Sequence, residues 1–200
     1  MLIKKLLDSS GLKLQKTTLE DLEKYLDLLS KWNKTRNLVS SNLSKVELAE
    51  QVFDCVCLFE EIKENMILDV GSGAGLPGMI IAIMDRKRTI RLLEPNQKKV
   101  SFLRHVQAEL DLENIFIVKD RLENCKISPQ ELIVTRAFAE PNKFLEMLSI
   151  ENHEGGKIIM MVSENTEIKK AGWISNYKTS QAEKTLEKKR GFLNIFHNKN

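Results

Sequence analysis

Cysteine is scarce. Cys55, Cys57 and Cys125 are the only three in 200 residues, an odd number with no C-x-x-C pair. This argues against a disulfide framework or a cysteine-based zinc module and leaves reduced, buried thiols as the expectation; no metal site is expected. Long apolar runs are missing too. The apolar residues of Met1 to Leu7 are broken by Lys4 and Lys5, so neither a signal peptide nor a membrane span is expected, and the chain reads as cytoplasmic. Internal repeats and low-complexity tracts are absent. Neither sign of charge dominates: Lys plus Arg number 31 against 28 Asp plus Glu, a net +3, which permits a nucleic-acid partner without demanding one. The length suits one compact domain with a sizeable core.

What the chain does contain is a glycine loop. In Leu68-Asp69-Val70-Gly71-Ser72-Gly73-Ala74-Gly75-Leu76-Pro77-Gly78 an apolar strand runs through an acid into glycines and then a helix. Such a loop lets a nucleoside cofactor lie on bare backbone, and the helix opening at Pro77 is expected to aim free N–H groups at it. Two registers are open. Gly73, Gly75 and Gly78 satisfy the G-x-G-x-x-G spacing of dinucleotide sites. Gly71, Gly73 and Gly75 instead give D-x-G-x-G-x-G, whose Asp69 disfavours a pyrophosphate and suits a cation such as the ammonium of S-adenosylmethionine (AdoMet). The register and the charge favour AdoMet over NAD. A second acid, Glu94, ends the apolar run Thr89 to Leu93, 23 positions after Gly71, where a carboxylate is placed to accept ribose hydroxyls.

Around this loop, short apolar runs alternate with amphipathic stretches. Strands are predicted at Met66 to Val70, Thr89 to Leu93, Ile115 to Val118, Leu132 to Thr135 and Lys157 to Val162. Helices are predicted at Pro77 to Met84, Asn96 to Leu110 and Asn142 to Leu148. Before them, Thr17-x-x-Glu20 reads as a capping box opening a helix through Leu29 and Trp32, and a second helix covers Lys45 to Phe59. The pattern is α/β: a doubly wound, Rossmann-like parallel sheet spanning 65–200 under a helical N-terminal layer, 1–64. Phe192 to Phe196 reads as an antiparallel edge strand, and Lys184 to Arg190 as a solvated turn or helix.

Ligands of such sheets sit outside the carboxyl ends of the strands. Asp120-Arg121-Leu122-Glu123 and Thr135-Arg136-Ala137-Phe138-Ala139 fall there beside the glycine loop. An arginine inside an apolar run needs a partner, so Arg136 is predicted either to face a polar ligand or to pair with Glu94 or Glu123. Trp32, flanked by Lys31 and Lys34, is a core residue or a base-stacking platform.

Taken together, Leu29-x-x-Trp32-Asn33-x-x-x-Asn37-Leu38, the Asp69 to Gly78 loop, Glu94-x-x-x-Lys98-x-x-x-Phe102-Leu103, Arg136-Ala137-x-Ala139 and the Ala171 to Trp173 pattern resemble the glucose-inhibited division protein B family (GidB). The resemblance covers nearly the whole chain. It implies a class I AdoMet-dependent methyltransferase fold and methylation of N7 of a guanine in the 530-region hairpin loop of 16S rRNA, on the RNA, the small ribosomal subunit or its precursor. By position it carries cofactor contacts over to Gly71, Leu76, Leu122, Glu123 and Arg136, which join Asp69, Gly73, Gly75 and Glu94 from the reading of the loop; a monomer is expected. Arg136 would serve as the positioning residue at the reacting centre, and Arg121, Lys98, Arg104 and Trp32 are the RNA-side candidates. The chain has no Pro-Cys nucleophile and no Asp/Asn-Pro-Pro-aromatic motif. Guanine N7 needs neither, because its lone pair is already exposed and alignment suffices. Two places depart from the family: Gln51-Val52-Phe53-Asp54-Cys55 replaces His-x-x-Asp-Ser, and Ser163-Glu164-Asn165 follows the fifth strand where Lys-Gly is usual. A divergent active enzyme, a catalytically silent rRNA-binding assembly protein and an NAD-binding oxidoreductase are the readings these features leave.

Overall fold

The computed structural model describes residues 1–39, 43–148 and 156–197. Three helices come first: α1 (Leu2–Ser10), α2 (Lys16–Arg36) and α3 (Lys45–Leu58). The capping box is not at Thr17. Helix α2 already begins at Lys16, so Thr17 is inside the first turn and Gln15 caps without a side-chain bond. The reciprocal pair lies instead at α3. There Ser44 Oγ accepts from the Glu47 amide and Glu47 Oε2 accepts from the Ser44 amide, at 3.2 and 2.8 Å.

Seven strands follow: β1 (Met66–Val70), β2 (Thr89–Leu93), β3 (Ile115–Val118), β4 (Leu132–Arg136), β5 (Lys157–Val162), β6 (Trp173–Thr179) and β7 (Gly191–His197). Between them lie α4 (Gly78–Met84), α5 (Gln97–Glu109), α6 (Pro141–Met147) and α7 (Gln181–Leu186). The sheet order is β3-β2-β1-β4-β5-β7-β6, with the first five parallel. The five predicted parallel strands are therefore present. β7 is antiparallel as predicted, but it pairs with β5 on one side and β6 on the other, and β6 forms the edge. The reason is burial. Phe192, Leu193 and Ile195 are buried, whereas β6, for which no element was predicted, exposes Ile174, Asn176, Lys178 and Thr179.

Alternation along the strands divides the core into two clusters. Ile67, Ile90 and Val134 face one side with α1 to α5; Leu68, Val70, Leu93, Ile133 and Ile158 face the other with α6. Among the described residues, no helix is long and apolar enough to cross a membrane. Trp32 belongs to the first side. Its ring centroid lies 5.5 Å from that of Phe102 and 5.2 Å from that of His105, so the indole is committed to aromatic neighbours rather than to an open stacking surface. Trp32→Ala is accordingly expected to lower unfolding free energy by about 3 kcal/mol in a urea titration. A variant that unfolds like the parent would return Trp32 to the RNA side.

Candidate active site

The carboxyl end of β1 enters the glycine loop, where Gly71, Gly73 and Gly75 all take positive φ. Gly71 also has no room for a side chain. A Cβ there would come within 2.3 Å of the Phe138 ring, which turns back over the loop because Ala137 adopts φ 52°. Phe138 in turn meets Phe144 edge-on at 5.8 Å. The Thr135 hydroxyl donates to the Val70 carbonyl at 2.9 Å, tying the end of β4 to that of β1.

The loop amides are used internally. Those of Gly71 and Ser72 donate to the Leu93 carbonyl and that of Gly75 to the Ser72 carbonyl. At the start of α4, Gly78 donates to Asp69 Oδ2 at 2.9 Å, Met79 to the Gly75 carbonyl, and Ile80 and Ile81 to that of Pro77. The expectation of helix N–H groups aimed at a ligand is thus corrected, and the place a pyrophosphate would need is filled by a carboxylate. Asp69 is fully buried, with Oδ2 on the Gly78 amide and Oδ1 without a hydrogen-bond partner among the described residues. Its role is to latch the loop onto α4. Burial is the main influence on its carboxyl and, against the Gly78 and Ser72 hydrogen bonds, pushes the pKa up to about 7.

A raised carboxyl pKa favours the folded state while the group is protonated. The stability it adds is full below the ordinary Asp value of about 3.9 and is lost as pH rises through about 7. Asn can accept from the Gly78 amide without a charge, so Asp69→Asn is expected to remove much of the fall in melting temperature between pH 5 and 8. A variant with the parent's pH slope would contradict this.

Glu94, also buried, spends one oxygen on the Gly73 amide (2.8 Å) and the other on the Asn96 amide (2.9 Å). It shapes the loop and caps the approach to α5. Any ribose hydroxyl would share lone pairs already in use.

Arg136 pairs with neither Glu94 nor Glu123. Its Nη1 donates to Gln51 Oε1 of α3 at 3.2 Å, so the position where the chain departs from the family pattern is the arginine's hydrogen-bond partner. Beneath it lies buried Asp54, whose Oδ2 is 3.3 Å from Arg190 Nε and whose Oδ1 has no partner. Burial raises the Asp54 pKa, and Arg136 is the strongest opposing charge. Cys55, which departs from the family pattern in the same segment as Gln51, is buried against Met161 Sδ at 4.0 Å, and burial drives its thiol pKa upward.

Two cavities meet on Gly71. One, about 200 Å3, has walls of Val70, Leu93, Leu122, Phe138 and Met147 with Asp120 and Glu123 at its edge. The other, about 300 Å3, is lined by Gly73, Leu76, Gln51, Arg136 and Lys99, with Leu38, Val39 and Leu43 at its rim. A chain of apolar pocket, bare glycine and cation-bearing cavity fits an elongated ligand with a nucleoside at one end and a polar tail at the other.

The structure thus brings together Gly71, Gly73, Leu76, Leu122, Glu123 and Arg136, with Asp69 and Glu94 one layer behind. Lys98, Arg104 and Arg121 are exposed. Sequence reasoning missed Phe138 as the loop's cover, Lys99, and Tyr25, whose buried hydroxyl donates to the Ala74 carbonyl at 2.7 Å. No sequence signal marks Tyr25. Lys99 sits beside the quoted Lys98, and the positive-φ turn at Ala137 has no composition cue. Among the described residues, no cluster of three or more His, Cys, Asp or Glu could hold a metal ion.

Known proteins share this arrangement at two levels. The SAM-dependent methyltransferase of Aquifex aeolicus superposes with a TM-score of 0.54 at 18% identity, over 73% of this chain and 91% of that one, which establishes the fold. In sequence, the ribosomal RNA small subunit methyltransferase G of Psychrobacter sp. is 39% identical over 137 residues, 66% of this chain; the chain spans 60% of that relative's length. Its counterpart in Acinetobacter baumannii is 36% identical over 155 residues, 76% of this chain and 74% of the relative. The family model described as rRNA small subunit methyltransferase G matches residues 18–193, from the first turn of α2 to the third residue of β7. With the glycine loop, the Arg136 turn and strands β5 and β6 all inside that span, the chain belongs to the rRNA small subunit methyltransferase G family.

Proposed function

We propose that this family member transfers the methyl group of AdoMet to N7 of a guanine in the 530 loop of 16S rRNA. The observation that carries the reading is the pair of cavities meeting on Gly71. Glycine there leaves the backbone bare, Leu122 and Phe138 offer apolar walls for an adenine, and Glu123 stands at the edge for polar contact. Leu76, Gly73 and Arg136 would line the path of the methionine end. AdoMet supplies an electrophilic methyl: the N7 lone pair forms the new N–C bond as the C–S pair returns to sulfur, leaving S-adenosylhomocysteine and a positively charged methylguanine.

No proton moves in that step, so the protein's task is alignment. Gln51 fixes the Arg136 guanidinium at the cavity, where its remaining donors can hold the cofactor carboxylate or a guanine acceptor. Asp69 and Glu94 contribute by keeping the loop in shape. We read 1–64 as a helical extension that packs on a 65–200 catalytic core and forms the RNA side of the cavity through Leu38, Val39 and Gln51. The protein would act as a monomer in the cytoplasm, on 16S rRNA within the small subunit or its precursor.

Incubating small subunits that lack the modification with methyl-labelled AdoMet, followed by nucleoside analysis, tests the reading. Label in 7-methylguanosine is the expected result. Label in another nucleoside, or none with the protein folded and AdoMet bound, would overturn it.

A further inference from the structure

Beside the cation-bearing cavity lies a surface that holds the RNA-side candidates Lys98 and Arg104 together with three cations not yet assigned a role. After Asp27, helix α2 carries Lys31, Lys34 and Arg36 with no further acid, and α5 carries Lys98, Lys99 and Arg104 with none before Glu109. The Trp32 contacts to Phe102 and His105 hold these two helices side by side. Lys34 lines a shallow cavity with Leu43, and Leu43 also borders the Arg136 cavity beside Lys99. The cations therefore continue outward from the reacting centre.

Their neighbours leave them available. Lys31, Lys34, Arg36, Lys98 and Arg104 are exposed, and among the described residues none of them is in an ion pair. The two carboxylates bordering the face are already matched, Asp27 by Lys45 and Glu109 by Lys24. Lys98 and Lys99 moreover occupy the first turn of α5, where the helix dipole disfavours cations and no acid compensates. Clustered, unpaired like charge held at such a place suits an external polyanion. The segment after β5 presents Ser163, Glu164 and Asn165, all exposed and without a cation.

We infer that the α2–α5 face is the docking surface for the phosphate backbone of the RNA flanking the target guanine. The inference rests on the proposed methyl transfer to rRNA. It adds Lys31, Lys34 and Arg36 as phosphate contacts, with the target guanine entering the Arg136 cavity past Lys99. Phosphate contacts of this kind position the strand without reading its sequence.

The test compares the parent with two triple variants: Lys31→Gln/Lys34→Gln/Arg36→Gln on the face, and Lys4→Gln/Lys5→Gln/Lys13→Gln away from it. Binding of a synthetic hairpin carrying the 530 loop is measured from 50 to 300 mM salt, with AdoMet affinity and melting temperature alongside. Three lost phosphate contacts should flatten the log–log salt slope by about 2 and weaken binding at 100 mM salt by at least about tenfold. AdoMet affinity and melting should stay at parent values. Equal slopes for the face variant and the parent, or an equal loss in the control variant, would overturn the docking surface; an acidic protein partner on this face would give the first of these. A parent that binds the hairpin with the steep slope but transfers no methyl contradicts the proposed function alone.

Discussion

Alanine at position 71 is expected to weaken AdoMet binding by about a hundredfold or more. Two terms add. The native φ of 71° lies in the left-handed region, which costs a residue with a Cβ roughly 1–2 kcal/mol. The new methyl also overlaps the Phe138 ring at 2.3 Å and stands on the strip of backbone where both cavities meet. Gly73→Ala separates the terms. Its φ of 58° carries similar strain, but the nearest atom to its Cβ is the Gly71 carbonyl oxygen at 3.7 Å. A loss of about tenfold is expected there, since each 1.4 kcal/mol is one decade. Calorimetry on both variants, with circular dichroism as the folding control, decides. Equal losses at the two positions would mean that Gly71 is needed for its turn and not as the cofactor's floor.

Removing Arg136 should give the largest loss of activity. A guanidinium making two charged hydrogen bonds to bound ligands contributes about 3–6 kcal/mol, at about 1.5–3 kcal/mol each. Methylation by Arg136→Ala is therefore expected to fall about 150-fold or more. Part of the loss should appear as weaker AdoMet binding, about tenfold, while the salt slope of RNA binding stays at the parent value, because the arginine faces the cavity and bonds Gln51. Folding must be followed too. The substitution removes the strongest opposing charge from buried Asp54, leaving Arg190 as its ion-pair partner. Arg136→Lys keeps a cation but not the planar fork, and should recover stability more fully than methylation. Full methylation at parent AdoMet affinity by the alanine variant would take Arg136 out of the site.

The framework of this fold was legible in the sequence because its signals are local. Apolar five-residue strands separated by amphipathic helices announce a parallel sheet, and six of the seven strands, the antiparallel β7 among them, fall within a residue of their predicted bounds. β6 was missed because an edge strand needs only one apolar side, and Trp-Ile-Ser-Asn-Tyr-Lys-Thr reads as loop until β7 pairs with it. Thr17 and Ser44 both head an S/T-x-x-E pattern, and only tertiary placement of α2 decides which becomes a cap.

At the site, residue types were readable and partnerships were not. Asp69 and Glu94 stood out as acids beside glycines, yet both carboxylates bond backbone amides of the loop and the neighbouring helix starts. A one-dimensional pattern does not distinguish an acid that holds a ligand from one that holds the ligand's cradle. Gln51 shows the same limit from the other side. It drew notice as a departure 85 positions from Arg136, and its meaning appeared only when α3 laid its amide against that guanidinium.

The central claim is methyl transfer to one guanine N7, and mass spectrometry of 16S rRNA tests it most directly. Ribosomal RNA from cells with and without this gene is digested with a base-specific ribonuclease and the 530-loop fragment is weighed. A fragment heavier by one methyl group, located on a guanine as 7-methylguanosine, is expected only when the gene is present. Identical fragments from both cells, or a gene-dependent methyl elsewhere in the RNA, would contradict it.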